Sequence, residues 1–243
     1  MKSSGKKIIT CILAAVCLFL LAFVGFYLYE MKKELDIQRE EQAKIMAVEV
    51  NNPDMPEEYR ELKANNPDVY GWLTIDGTEI SVPVVQKAGD NSFYLSHDVF
   101  QEESDNGAVY SEDYNAKDFS DFLTVLYGNR SDEGAMFAGL LDYEDPVFFE
   151  EHRTIHIYLP DKTLEYRIFA AYTGDNSHLL LSRDLSKTEN RERYIKEIYQ
   201  WRGMKNNFDK TIPVTADSHI LALSTGHPSG AESRFIVQAV QTE

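Results

Sequence analysis

The chain has 243 residues, 43% hydrophobic and 26% charged, so it is long enough to bury the core of one or two domains. Acidic residues outnumber basic ones by 40 to 24, giving a net charge of −16, which argues against a nucleic-acid partner because phosphate binding needs clustered positive charge. Both cysteines, Cys11 and Cys17, lie near the N-terminus, so the rest of the chain has no disulfide, thiolate metal ligand or cysteine nucleophile.

An uncharged, largely apolar segment lies near the start of the chain. Residues 8–29 are 22 consecutive positions without a charge, and at about 1.5 Å per residue a helix of this length crosses a hydrocarbon core of roughly 30 Å. A cleaved signal peptide is the alternative, but its apolar region is usually about 7 to 15 residues long. Because Lys2, Lys6 and Lys7 precede the span, we expect a cytoplasmic tail over 1–7 and an outward-facing remainder in a single-pass membrane protein.

The next segment is polar and rich in helix formers. Residues 30–54 carry opposite charges at helical spacing, and the helical pattern ends at Asn51-Asn52-Pro53. We expect a solvated helical stalk here, with a coiled-coil dimer as the alternative, although few clean heptads fit. A short amphipathic helix over 55–65 then opens the folded domain, which we expect to extend over 55–243.

From residue 69 the pattern changes to short runs of β-branched and aromatic residues separated by turn signals. The pairs Asp76-Gly77 and Asp161-Lys162 predict tight hairpins, and one long helical pattern covers 187–201. Eight strands with one inserted helix predict a mainly β fold, a barrel or sandwich, rather than a parallel sheet. The predicted strands are Tyr70–Ile75, Glu79–Val85, Ala108–Tyr110, Phe122–Tyr127, Thr154–Leu159, Leu164–Tyr172, His219–Ser224 and Arg234–Val240.

Sequence motifs for metal ions and cofactors are missing. None of the six histidines belongs to an HExxH motif, and the closest pair, His152 and His156, straddles a predicted change from loop to strand. Neither GxGxxG nor GxxxxGK[ST] occurs, so no phosphate-binding loop is expected. The sequence therefore predicts neither a metal site nor a cofactor.

Two segments at the ends of predicted strands resemble the catalytic signatures of sortases, the membrane-anchored cysteine transpeptidases of Gram-positive bacteria. They are Leu126-Tyr127-Gly128-Asn129 and the run from His219 through Ser224-Thr225-Gly226 to Arg234. Stretches such as Asn66-Pro67-Asp68-Val69-Tyr70-Gly71-Trp72 and Asp90-Asn91-Ser92-Phe93-Tyr94-Leu95, together with the inserted helix, resemble class B. The resemblance covers about residues 55–243 and implies an eight-stranded sortase-type β-barrel with N-terminal helices. It also implies a groove for a sorting-signal peptide, whose threonine carbonyl is attacked by a cysteine.

The sequence departs from the sortase pattern at two catalytic positions. Asn129 stands where sortases carry histidine, Gly226 stands where they carry cysteine, and only the arginine is kept, as Arg234. Thioester formation needs a thiolate, which glycine cannot supply. The asparagine amide cannot exchange a proton near neutral pH, so it cannot protonate a leaving amine. The sequence therefore predicts a pseudo-sortase that binds a partner without the covalent chemistry.

Other groups near Gly226 could take over the chemistry. Strand alternation places Ser224 on the face of Gly226 and turns Thr225 and His227 away, so Ser224 would lack its base, and His227 is expected to be a polar residue on an exposed turn. A transpeptidase with relocated catalytic groups, or a disabled form of an active sortase, is the alternative to natural loss of activity.

Five positions are candidates for contact with a peptide. Arg234 either holds a carbonyl or carboxylate of the peptide or pairs with an acidic neighbour. Asn91 and Leu95 resemble class B positions that contact the sorting peptide, with a helix cap and a core leucine as the alternatives. Ser224 and Thr225 complete the set of peptide-groove candidates. The expected partners are a sorting-signal peptide, a surface or pilin-like protein, or an active sortase.

Overall fold

The structure, a computed structural model, describes residues 2–130, 136–228, 230 and 232–242, and the side chains at 2–19, 21, 22 and 41 lie outside this description. The chain divides into two units, Met1–Ala47 and Val48–Glu243. The first unit contains one helix, α1, Lys2–Met46. The predicted membrane span 8–29 falls in α1, and its positions 8–19, 21 and 22 are among those whose side chains are not described. In the part of the chain that is described, no helix has the length and apolar character needed to cross a membrane.

Helix α1 ends earlier than the sequence pattern suggests. The helix stops at Met46, whereas the pattern of helix formers runs to Asn51. The backbone N–H groups of Asn51 and Asn52 instead donate hydrogen bonds of 2.7 and 2.9 Å to the carbonyl oxygen of Pro160. These two bonds attach the residues at the predicted helix end to the turn at Pro160.

The second unit contains most of the regular structure. Its helices are α2 (Glu58–Asn65), α3 (Pro146–Glu151) and α4 (Thr188–Ile198), with 3₁₀ helices at Phe93–Leu95 and Ala138–Glu144. Its strands are β1 (Val69–Ile75), β2 (Ser81–Val85), β3 (Val109–Ser111), β4 (Leu123–Tyr127), β5 (Thr154–Tyr158), β6 (Thr163–Asp175), β7 (Asn207–Phe208), β8 (Ile220–Gly226) and β9 (Ser233–Gln241). The eight predicted strands are all present, and the two-residue β7 is too short for a sequence pattern to show.

The sheet closes on itself. Its strands join in the order β5-β1-β2-β3-β4-β8-β9-β6, and β6 pairs again with β5, which completes an eight-stranded barrel. Strand β7 is added along the middle of β6, at Ala170 and Ala171. Both predicted hairpins are present, because β1 and β2, and also β5 and β6, are antiparallel neighbours. The predicted mainly β barrel is confirmed.

Two apolar layers lie on opposite faces of the same strands. The inner layer includes Leu223 of β8 and Val237 of β9, both fully buried. The outer layer includes Ala222 of β8 and Ile236 of β9, and helix α4 covers part of it. Tyr194 and Ile198 of α4 are four residues apart, so they share one helix face, and both are buried in this outer layer.

Three strands bring the predicted catalytic positions to one end of the barrel. Strands β4 and β8 run parallel, and β9 runs antiparallel to β8. The last residues of β4 and β8 therefore lie beside the first residues of β9. This arrangement places Tyr127, Gly226 and Arg234 close together, although more than 100 residues separate the first from the last.

Candidate active site

Gly226 and Arg234 lie directly opposite each other on neighbouring strands. They are partners in the antiparallel register of β8 and β9. Side chains at such opposed positions project from the same face, with Cβ atoms about 4.5–5.5 Å apart. A Cβ built on Gly226 would meet no atom within 4 Å. The position where the sortase pattern has its nucleophile therefore lacks a side chain, and no described neighbour occupies the space.

Strand alternation separates the two hydroxyl candidates of β8. Ser224 pairs with Ile236 of β9 and with Tyr127 of β4, all on the face of Gly226. Thr225 is fully buried and pairs with Phe235 of the inner layer, so its side chain is on the opposite face. Among the described residues, no hydrogen bond joins the hydroxyl of Ser224 to a histidine or a carboxylate. The structure therefore brings Ser224, but not Thr225, to the side of Gly226, and gives Ser224 no base there.

Asn129 is held by two loops. Its side-chain Nδ2 donates hydrogen bonds to the carbonyl oxygens of Leu95, at 2.9 Å, and Asp105, at 3.3 Å. Its own carbonyl oxygen accepts a hydrogen bond of 3.1 Å from the N–H of Phe137. The residue at the position of the sortase histidine thus joins three segments of the chain.

Both structural alternatives for the two class B positions are wrong. Leu95 is 43% exposed and so is not a core leucine. Ser92, not Asn91, precedes the 3₁₀ helix Phe93–Leu95, and its side chain makes no capping bond. Asn91 instead exchanges two hydrogen bonds of 2.8 Å with Asp113. The N–H of Gly89 and the amide of Asn91 hold the pKa of the Asp113 carboxyl below its usual range.

Arg234 is half-buried and faces two tyrosines. In the described part of the chain, no carboxylate is within 4.0 Å of its guanidinium. Burial, and after it the Glu112 charge, raise the pKa of Tyr110 to about 12, although the positive charge of Arg234 opposes them. Burial and the Glu112 charge also raise the pKa of Tyr127, and the positive charge of Arg234 again opposes them. Both tyrosines therefore stay neutral beside the arginine.

A hydrogen bond between two side chains that the sequence did not predict lies next to these tyrosines. Nε2 of His178 is 3.0 Å from Oε1 of Glu112, and Nδ1 of His178 accepts a hydrogen bond of 3.1 Å from the N–H of Leu181. Because Nδ1 accepts, Nε2 carries a proton and donates it to the carboxylate. The two residues are 66 positions apart and belong to no shared motif, so no sequence signal could have found them.

His227 differs from its predicted role as an exposed turn residue. Its side chain is only 15% exposed, and its Nε2 is 3.1 Å from Oε1 of Glu144. Its ring stacks on Phe235, with the ring centroids 6.2 Å apart. Lys205 contacts the second oxygen of Glu144. The prediction was wrong because the turn after β8 folds this ring back against the barrel.

A surface cavity of about 600 Å³ lies beside the paired residues. It is lined by His227 and Ser233, which adjoin Gly226 and Arg234 in the chain, and by Gly174, which pairs with Arg234 from β6. Trp201 contributes an aromatic wall. The residues described include no cluster of three or more histidine, cysteine, aspartate or glutamate side chains that could hold a metal ion. Gly226 and Arg234 are not among the lining residues, so the cavity adjoins the site but does not contain it.

Comparison with known proteins identifies the family. No protein-family model matches the chain. The chain is 30% identical to the sortase B of Listeria monocytogenes over 227 residues, which are 92% of this chain and 90% of the relative. Its fold resembles the X-ray structure of Clostridium perfringens sortase B, with a TM-score of 0.68 and 28% identity over 76% of this chain and 99% of the other. A Staphylococcus aureus sortase B–substrate complex has the same fold, with a TM-score of 0.68 and 23% identity over 88% of this chain and 98% of the other. The chain therefore belongs to the class B sortase family.

Proposed function

We propose that this chain is a membrane-anchored pseudo-sortase that binds a sorting-signal peptide without forming a covalent bond to it. The observation that carries the proposal is Gly226, which stands opposite Arg234, with no atom of the described residues within 4 Å of the position where the nucleophile's Cβ would be. Acyl transfer by this family needs a thiolate at that point, and the backbone of glycine cannot replace it.

The second catalytic position supports the same conclusion. Both hydrogen-bond donors that Asn129 directs at its neighbours go to backbone carbonyls, of Leu95 and Asp105. An amide in this role neither accepts nor releases a proton near neutral pH. Removing the nucleophile from a catalytic unit typically leaves only about 10³-fold to 10⁴-fold acceleration over water, from binding and polar stabilisation.

The parts needed for binding are kept. Arg234 presents a fork of donors suited to a carbonyl or carboxylate, and the adjoining cavity of about 600 Å³ offers room for an extended peptide. A barrel of the same fold in the Staphylococcus aureus relative is described as a substrate complex. We transfer peptide binding to this chain on that likeness, with the peptide of a surface or pilin-like protein as the partner, and an active sortase as a further partner.

The proposed location follows from the sequence. The uncharged stretch 8–29 is long enough to span a bilayer as a helix, and Lys2, Lys6 and Lys7 precede it. The barrel would then lie on the outer face of the cell membrane, where sorting signals are exposed.

Binding and turnover can be separated in one experiment. The full-length chain, purified in detergent, is incubated with a pooled synthetic library of hexapeptides that have threonine fixed at the fourth position. Bound peptides are identified by mass spectrometry after equilibrium dialysis, and cleaved peptides are sought in the same samples. We expect bound peptides and no cleavage products, whereas the Listeria monocytogenes sortase B serves as the positive control for cleavage.

The relocated-catalysis alternative predicts a different outcome. Cleaved peptide produced by the wild-type chain and lost in the Ser224→Ala variant would overturn the proposal. Absence of any bound peptide would show that the groove has lost its binding role as well.

A further inference from the structure

The space beside Gly226 differs in charge as well as in size from that of a cysteine-bearing site. A cysteine side chain there would add two heavy atoms, and a thiolate would repel any anion brought to Arg234. Glycine removes both the bulk and the negative charge, and no described atom within 4 Å of the Cβ position replaces them. An anionic group can therefore approach the guanidinium from the side of β8.

Among the described residues of this acidic protein, Arg234 has no carboxylate partner within 4.0 Å. The chain has 40 acidic residues against 24 basic ones, so carboxylates are abundant. Other half-buried arginines use them, as Arg183 does with Glu197 at 2.6 Å. Within the described residues, no carboxylate is that close to Arg234, although the residue is half-buried and its charge acts on two neighbouring tyrosines. A guanidinium in this situation favours an external carboxylate, which its planar fork can bind through two parallel hydrogen bonds.

The groups around Arg234 do not compete for this role. Tyr110 and Tyr127 stay neutral because burial raises the pKa of each. Glu112 is the described carboxylate whose charge acts on these tyrosines, and His178 binds it through Nε2. This carboxylate is therefore already hydrogen-bonded to another side chain.

We propose that the site captures peptides that end in a free carboxylate, with the carboxylate beside Gly226 and bound by Arg234. This inference rests on the proposed function and names the ligand more closely. The ligand class is the acyl half of a sorting signal that has already been cut after its threonine, not the intact signal with its continuous backbone.

A matched pair of ligands tests the inference. A library of N-acetylated pentapeptides with threonine fixed at the last position is made once as free acids and once as C-terminal amides. Affinities for the full-length chain in detergent are measured by calorimetry on the peptides that bind best. We expect the acids to bind at least about tenfold more tightly than their amides, because charge-assisted hydrogen bonds to arginine are lost in the amide.

Variants assign that preference to the site. In Arg234→Gln the ratio of acid to amide affinity should fall below about threefold, and Arg234→Lys should give an intermediate ratio because it keeps the charge without the fork. Arg167→Gln removes the same charge from an exposed position on β6 and should leave the ratio unchanged. Gly226→Asp should abolish the preference by supplying an internal carboxylate opposite Arg234, whereas Gly226→Asn should not.

The possible failures are distinguishable. Equal affinity for acids and amides, in a wild-type chain that binds both, overturns the inference and leaves the proposed function standing. Failure of every acid and amide to bind overturns both. A preference that persists in Arg234→Gln, with an unchanged melting temperature, also overturns the inference because it places the carboxylate elsewhere.

Discussion

The ends of strands β4 and β8 lie side by side, yet the two positions there that depart from the sortase pattern have different surroundings. At the end of β4, Gly128 packs against Phe137, and Asn129 donates hydrogen bonds to two loops. At the end of β8, a Cβ on Gly226 would have no described atom within 4 Å. Asn129 is thus hydrogen-bonded to its neighbours, whereas Gly226 has open space among the described residues.

This difference shows that two departures from a family pattern need not have the same structural consequence. A polar side chain near backbone carbonyls finds partners, because an unpaired amide is costly even when partly buried. A glycine at the open end of a strand requires no such compensation. Gly226, at the cysteine position, should therefore tolerate substitution more readily than Asn129, at the histidine position.

Restoring both catalytic side chains should produce the largest change. A cysteine at position 226 meets no steric barrier, and Arg234 opposite would favour its thiolate. We expect the double variant Gly226→Cys with Asn129→His to cleave sorting-signal peptides at least ~10³-fold faster than the wild-type chain. The rate is measured by mass spectrometry of peptide products, and Gly226→Cys with Asn129→Ala is the control that lacks the imidazole. An inert double variant with a wild-type melting temperature would mean that the groove no longer positions a peptide for attack.

Adding one methyl group to each glycine should give opposite results. A Cβ on Gly128 would lie 2.7 Å from the ring of Phe137, which must move, so Gly128→Ala should cost about 1–3 kcal/mol in the free energy of unfolding. Gly226→Ala should change that free energy by no more than about 0.5 kcal/mol. Urea denaturation of the two variants measures both values. Equal losses would remove the contrast between the two strand ends.

Removing the amide of Asn129 should have a moderate effect. Asn129→Ala loses the hydrogen bonds to Leu95 and Asp105. Because the residue is only half-buried, the free energy of unfolding should fall by about 0.5–1.5 kcal/mol. Hydrogen exchange should speed up in the loops around these two carbonyls. Asn106→Ala is the matched control in the same loop, since no described hydrogen bond involves its side chain. If the control variant loses as much stability, the two bonds of Asn129 do not matter.

The smallest effect concerns the pH dependence of the contact that holds His227. Burial tends to raise the pKa of Glu144, but hydrogen bonds from Lys205 and His227 outweigh it and hold the pKa below its ordinary value of 4.5. A depressed pKa in the folded state stabilises the protein above pH 4.5, and this stabilisation is lost as the pH falls through the folded-state pKa. The free energy of unfolding of the wild-type chain should exceed that of Glu144→Gln by about 0.5–1 kcal/mol near pH 7. This difference should shrink below about pH 4. Melting temperatures from pH 3 to 7 measure it, and a constant difference would contradict the role of Glu144.

Much of the barrel could be predicted from the sequence because strand patterns are local. Alternating β-branched residues are sufficient to predict the strands β1, β2, β5 and β6. The turn pairs Asp76-Gly77 and Asp161-Lys162 predict the hairpins that join them. The same local logic places Ser224 on the face of Gly226 and Thr225 on the other.

Contacts between distant segments could not be predicted in this way. The pairing of Glu112 with His178 and that of Glu144 with His227 depend on loops that meet only in the folded barrel. The two carbonyls that bind Asn129 are backbone atoms, which no residue pattern reveals. The hydrogen bonds of Asn51 and Asn52 to the carbonyl oxygen of Pro160 likewise join segments that are far apart in the chain.

The most direct test of the central claim is the intact mass of the full-length protein after incubation with sorting-signal peptides. We expect the wild-type chain to keep its unmodified mass, and the double variant Gly226→Cys with Asn129→His to gain the mass of an acyl group. An acyl adduct on the wild-type chain, mapped to Ser224 and absent from Ser224→Ala, would contradict the account.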